Sequence, residues 1–250
     1  MKMLCSEYKI NSCQKHGEFK NNKLFGRWLG CPSCAQEIVI ELDKKRDAEE
    51  LEKRRAGYIA QANIPTMFED AGFKTYQQES NAQTMAFVAV KDYLSRLKTD
   101  LKTAGNLIMT GRTGNGKTHL ACAVIRTMAH SMHRVRYVTA AKFVNECFAT
   151  WDDKSKSIDS IVEHYASYDV LLVDEVGLND CTNEKAQSYF NLLIDARYLE
   201  KRPTIITSNL FEAELAKLLG DRSFSRVCEN GLLLRFDWVD YRQRSRRGAA

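Results

Sequence analysis

The sequence predicts an α/β fold, a parallel sheet flanked by helices, with a small metal-organised module in front of it. From Ile64 onward, short runs rich in aliphatic and β-branched residues alternate with helical stretches. One of those runs passes through a glycine-rich loop directly into an amphipathic helix. Ahead of that region lie two close Cys/His pairs in a stretch with little helical or strand periodicity. The 250 residues leave room for one ordinary domain and a small appendage.

Composition limits the alternatives. Apolar residues make up 44% and charged residues 28%, so most of the chain can fold around a core, and only 3 prolines argue against long linkers. The start, MKMLCSEYKINSC, has no apolar core of signal-peptide length, and no run is long enough to span a membrane. A soluble, cytoplasmic protein is expected. In that reducing setting, cysteines at suitable spacing read as metal ligands before they read as disulfides. The net charge of +5 is mild, but both ends of the chain are locally basic.

Residues 1–36 are expected to form the metal-binding module. Cys13 and His16 enclose two residues, and Cys31 and Cys34 enclose two more, a C-x2-H and C-x2-C layout that suits tetrahedral Zn2+. Cys5 lies outside this spacing and could replace His16, leaving a four-cysteine alternative. Cys122, Cys147, Cys181 and Cys228 are scattered and read as small structural residues. Residues 37–62 are highly charged, lack proline and place Glu49 before Lys53 and Glu50 before Arg54 at helical spacing. They read as an exposed connecting helix.

Residues 63–250 should form the α/β domain. A helix is expected over 82–97, and strands in the runs ending at Thr110, Ala140, Glu175, Asn209 and Asp237. Gly111 to Thr118, GRTGNGKT, fits G-x-x-x-x-G-K-[ST] and lies between the apolar NLIMT run and the helical HLACAVIRTMAH run. Gly111, Gly114 and Gly116 let the backbone turn its N–H groups toward phosphate oxygens at a helix N-terminus. Arg112, Thr113 and Asn115 complete that loop, and His119 follows it. Lys117 would charge-pair with the β- and γ-phosphates of ATP, and the Thr118 hydroxyl would ligate Mg2+.

The hydrophobic run VLLV leads to Asp174 and Glu175. Adjacent carboxylates at the tip of a buried strand have no structural purpose in a core, but beside a phosphate loop they have two. Asp174 would hold Mg2+, and Glu175 would orient and deprotonate the attacking water. Asn209, just past the TIITS run, could hydrogen-bond that water or the γ-phosphate.

This combination of phosphate loop, DE strand end and strand-to-Asn turn resembles the AAA+ ATPases. The GKTHL and LLVDEVG runs, with IPTMFEDAGFKTY, GDRSFSRV and FDWVDYRQR, are similar to the helicase loaders of the DnaC/DnaI type and to the IstB transposition helpers. The resemblance implies that Arg226 is the arginine finger reaching a neighbouring subunit's γ-phosphate, with Arg222 a second candidate, and that Arg242 contacts nucleotide in its own subunit. It also implies self-association through the ATP sites. Only eight residues follow Arg242, too few for a helical lid or an initiator's DNA-binding domain. The expected function is ATP-dependent loading of a DnaB-type replicative helicase onto single-stranded DNA, with the zinc module gripping the helicase and no membrane involved. A transposition helper binding duplex DNA and a transposase is the alternative, and a nucleotide-binding adaptor is a third reading. Phe143, Phe148 and Trp151 read as core residues or base-stacking groups, and no individual DNA contact is assigned.

Overall fold

In the computed structural model, which describes residues 8–151, 155–177 and 184–238, the chain divides into two compact units, Met1–Arg54 and Arg55–Ala250. In the first, β1 (Tyr8–Cys13) and β2 (Gly17–Leu24) pair antiparallel, and β3 (Arg27–Trp28) joins β2 through Lys23 and Trp28. These strands carry no apolar alternation because neither face is packed. Only Asn21 is buried among the described residues of this sheet, and its side chain accepts the Gly30 N–H at 3.1 Å. So small a sheet needs a staple other than a core.

Helix α1 spans Pro32–Ala62. It therefore starts before the expected position 37. Pro32 fits the first helical position, where a missing N–H costs nothing, and the earlier start puts Cys34 in the first turn.

The second unit runs through α2 (Asn81–Thr99), α3 (Leu101–Ala104), β4 (Leu107–Gly111), α4 (Lys117–His130), β5 (Val135–Thr139), α5 (Ala140–Ala149) and α6 (Ile158–Ala166). It continues with β6 (Val170–Val176), α7 (Glu184–Leu199), β7 (Thr204–Ser208), α8 (Glu212–Leu219), α9 (Asp221–Cys228) and β8 (Leu232–Phe236). The strands form one sheet in the order β5-β6-β7-β4-β8, with every pairing parallel. The expected α/β architecture is present.

Alternation along the strands supplies two cores. Leu107, Met109, Leu172 and Ile205 pack with α2 and α4, whereas Ile108, Leu171, Val173 and Ile206 pack with residues of α5 to α9. Helix α2 shows how sequence sets this contact: Ser80 caps it by accepting the Gln83 N–H, and Ala86, Val90, Tyr93, Leu94 and Leu97 form its buried stripe. The chain leaves the inner strand β4 through α4 and returns at the far edge strand β5, so a cleft opens at the C-terminal ends of β4, β6 and β7.

The opposite end of the sheet is tied by Arg197. Fully buried in α7, it donates to the Thr204 hydroxyl and to the carbonyls of Tyr165, Ala166, Tyr168 and Pro203, joining α6, β6 and β7. Arg197→Met would take this donor from the Tyr168 carbonyl and the Thr204 hydroxyl, while the Ala166 and Pro203 carbonyls would keep only Arg202 and the Leu171 N–H. A stability loss of about 2–4 kcal/mol is expected in urea unfolding; a change below about 1 kcal/mol would contradict this role.

Candidate functional site

β4 ends at Gly111 and α4 begins at Lys117, so residues 112–116 cross the C-terminal edge of the sheet. Gly111 has φ 124°, and the Phe236 carbonyl of β8 stands where a Cβ would lie. Gly116 has φ 84°, and an added Cβ would meet the Tyr76 ring at 2.7 Å. Neither position admits a side chain without displacing a neighbour. No side chain caps α4 at Gly116, which leaves the N–H groups of its first turn for an anion.

A cavity of about 380 Å³ opens over this turn. It is lined by Thr113 to His119, by Asp174, Glu175 and Asn209, and by Phe68, Tyr76, Gln83 and Trp238. Lys117 is 5% exposed, and its ammonium donates to the Gly111 and Arg112 carbonyls at 2.7 and 2.6 Å. Burial pushes its pKa down to about 8, against the opposing pull of Asp174. A phosphate in place of those neutral carbonyls would favour the charged form.

Asp174 is 2% exposed and fully engaged. Its Oδ1 accepts from the Thr118 hydroxyl at 3.0 Å and, closer still, from the Thr207 hydroxyl, while Oδ2 accepts from the Tyr137 hydroxyl at 2.8 Å. Both burial and the Asp174 charge hold the Tyr137 phenol protonated, so it acts as a donor. Adjacent strand residues normally face opposite ways, yet Asp174 and Glu175 both line the cavity. A break in β6 register between Val173 and Val176 makes this possible. Glu175 sits there at φ 61°, with its N–H donating to the Thr207 hydroxyl at 3.2 Å.

The Thr118 and Asp174 oxygens fit Mg2+. They are hard donors 3.0 Å apart, and neighbouring ligands around octahedral Mg2+ stand about 2.9 Å apart.

Other expected site residues are engaged differently. The Asn115 amide donates to the Phe236 and Trp238 carbonyls at 3.0 and 2.7 Å, so its side chain ties the loop to β8. The His119 ring meets the Gly72 carbonyl at 3.0 Å and the Thr75 hydroxyl at 3.3 Å. Exposed Arg112 lies 3.6 Å from Asp237 and does not line the cavity. Arg226 pairs closely with Asp195, which Arg222 also approaches at 3.5 Å. Arg226 lines a separate hollow with Asn106 and Thr204, by the N-terminal ends of β4 and β7, and so does not enter its own chain's cavity. Arg242 and Cys5 lie outside the described residues. Of the three aromatics, Phe143 is buried and Phe148 packs on Tyr189, while Trp151 is 54% exposed with the Lys185 ammonium 4.1 Å from its ring.

In the N-terminal unit, ligand atoms of Cys13, His16, Cys31 and Cys34 all lie within 4.8 Å of one another. Cys13 and Cys34 sulfurs are 3.5 Å apart, and His16 Nδ1 lies 3.7, 3.6 and 3.3 Å from the sulfurs of Cys13, Cys31 and Cys34. A Zn2+ tetrahedron with three sulfurs and one nitrogen has edges of about 3.5–3.8 Å. The donor set fits zinc. His16 Nε2 meets the Glu37 carboxylate at 3.1 Å, and Lys15 holds the other Glu37 oxygen at 2.6 Å. That carboxylate would fix the ring's tautomer and direct Nδ1 to the metal.

A family model described as IstB-like ATP binding protein matches residues 35–248. The chain belongs to this family. Among curated relatives, the replicative helicase loader DnaC of Escherichia coli K12 is 27% identical over 185 residues, 73% of this chain and 74% of that protein. DnaC of Buchnera aphidicola subsp. Schizaphis graminum is 28% identical over 188 residues, 74% of each chain. A crystal structure of the DnaC helicase loader matches at TM-score 0.61 and 22% identity, over 69% of this chain and 99% of that one. The DnaI structure matches at TM-score 0.57 and 19% identity, over 71% and 94%. These structural likenesses concern the fold. The family match and the DnaC relatives bear out the resemblance to this group, and the chain is a member of an ATP-binding family.

Several groups in these sites leave no motif in the sequence. Tyr137 belongs to a strand remote in sequence from Asp174, and Thr207 read only as a β-branched strand residue. Glu37 sits in the charged helical stretch, three residues after Cys34 and therefore one helical turn from it. Metal analysis should find about one Zn2+ per chain, lost in Cys31→Ser, while Glu37→Gln weakens zinc affinity by about 10-fold in a chelator competition. Full zinc retention by Cys31→Ser would exclude this ligand set.

Proposed function

We propose that this protein is an ATP-dependent loader of a replicative helicase, gripping the helicase through its N-terminal zinc unit and assisting its placement on single-stranded DNA. The observation that carries the reading is the cavity over α4, where phosphate loop, paired carboxylates and Asn209 converge in a chain similar to named helicase loaders over about three quarters of both lengths. The transposition-helper alternative draws no support from those relatives.

In this reading the α4 N-terminus and Lys117 hold the β- and γ-phosphates of ATP. Thr118 and Asp174 hold Mg2+, which when bound offsets charge on the phosphate oxygens. Glu175 takes a proton from water as its oxygen attacks the γ-phosphorus; the bond to the β-phosphate oxygen breaks, giving ADP and phosphate. Asn209 orients that water. Arg112, Thr113, Gly114, Asn115 and His119 shape the loop around the nucleotide. Arg226, released from Asp195, serves a neighbouring subunit's γ-phosphate, and Arg242 contacts nucleotide in its own subunit. Assembly is then part of the catalytic cycle.

Glu175→Gln should lower phosphate release by at least about 100-fold while a fluorescent nucleotide still binds. Unchanged turnover would overturn the assigned base. Capture of the cognate replicative helicase should depend on the zinc unit; no capture, alongside tight duplex DNA binding, would favour the transposition helper. Tyr137→Phe should raise the Mg2+ concentration for half-maximal nucleotide binding by about 10-fold, leaving Mg2+-free binding unchanged. An unaltered Mg2+ dependence would remove Tyr137 from the site's support.

A further inference from the structure

Strands β6 and β7 lose register beside the cavity, and one β7 side chain bridges the irregular step. Val173 pairs with Ile206, and the next pair is Val176 with Ser208. Between these pairs β6 has two residues, Asp174 and Glu175, where β7 has one, Thr207. Such a bulge, unusual between parallel strands, leaves a residue without a ladder partner and bends the strand that carries it. Here it lets two consecutive carboxylates line one cavity.

Backbone preference works against this geometry. Glu175 lies at φ 61°, in the left-handed region where glycine is the easiest occupant. Side chains of β7 hold the bulge instead. The buried Thr207 hydroxyl accepts the Glu175 N–H at 3.2 Å and donates to Asp174 Oδ1, so it touches both residues of the bulge. One position further on, the Ser208 hydroxyl donates to the Val176 carbonyl at 2.6 Å. Two consecutive hydroxyls thus bind β6 across the irregular step. An aliphatic side chain at position 207 would fill the strand as Ile205 and Ile206 do, but would offer the Glu175 N–H no acceptor.

We infer that Thr207 is a positioning residue whose hydroxyl fixes the bulge that turns Glu175 into the cavity, so that turnover depends on Thr207 through Glu175. The inference rests on the reading of Glu175 as the base that deprotonates the attacking water. Thr207 does no proton transfer of its own: its oxygen accepts the Glu175 N–H, and its proton is committed to Asp174. Its effect is geometric. A base must stand within about 2.6–3.2 Å of the oxygen whose proton it takes, and a shift of about 1 Å in its support can cost about 100-fold in rate.

The test uses the full chain at saturating ATP and Mg2+. Thr207→Val, which keeps the shape and removes the hydroxyl, should lower kcat about 10- to 100-fold while Mg2+-free binding of a fluorescent nucleotide stays unchanged. Thr207→Ser should restore most of the rate, because serine keeps the same donor and acceptor. On a Glu175→Gln background, Thr207→Val should change turnover by less than about 2-fold, since a base already removed cannot be misplaced. Without nucleotide, amide hydrogen exchange at Glu175 should speed up at least about 5-fold in Thr207→Val and keep its rate in Thr207→Ser. If Thr207→Val does not fold, Thr207→Cys takes its place, because a thiol accepts too weakly to hold the N–H. An unchanged kcat, or a serine variant as slow as the valine one, would overturn the inference. So would a full further loss on the Glu175→Gln background, which would place the effect on Asp174 and Mg2+. If Glu175→Gln by itself leaves turnover unchanged, the base assignment falls, and the exchange rate alone decides whether Thr207 sets this backbone: acceleration upholds it, and an unchanged rate overturns it.

Discussion

A carboxylate buried at the edge of a hydrophobic sheet must be satisfied, and around Asp174 that requirement organises the second unit. Its oxygens draw in hydroxyls from α4, β5 and β7, so four elements separate in sequence share one anchor. Left without those donors, the charge would cost far more than any single apolar contact nearby returns. The β6 irregularity falls beside this anchor, where Glu175 departs from regular strand geometry. Because Thr118 belongs to the helix that begins at the phosphate loop, strand end and loop are held in one register.

The opposite end of the sheet follows similar logic with opposite charge. Arg197 has carbonyl and hydroxyl acceptors where Asp174 has hydroxyl donors, and it gathers the N-terminal ends of β6 and β7 as Asp174 gathers their C-terminal ends. Between these polar ties, two apolar layers fill the space above and below the strands. The cavity lies at the Asp174 end because the chain crosses from β4 to the far edge there, separating the loop from its neighbouring connections.

The N-terminal unit solves its stability problem differently. Three short strands with exposed faces cannot bury enough surface, and the four ligand atoms brought within a few ångströms would take over the role of a core once they held a metal. A sheet relieved of the need for an apolar face can display aromatics and lysines outward. Cys34 on the first turn of α1 joins this cluster to the long charged helix, and Glu37 one turn later buttresses His16.

The sequence by itself determined the α/β class, the strands around apolar runs, the phosphate loop and the four soft ligands, because each is a local pattern: a period, a spacing, a glycine where φ must be positive. It also marked Asp174 and Glu175, since a charged pair ending an apolar strand conflicts with its surroundings. The N-terminal strands left no such trace, for without a buried face they need no alternation. Only the tertiary structure brought Tyr137 and Thr207 to Asp174, turned the Asn115 amide toward β8, and paired Arg226 with Asp195. Those choices depend on which strands become neighbours in β5-β6-β7-β4-β8, and strand order is set by long-range packing that no short window of residues encodes.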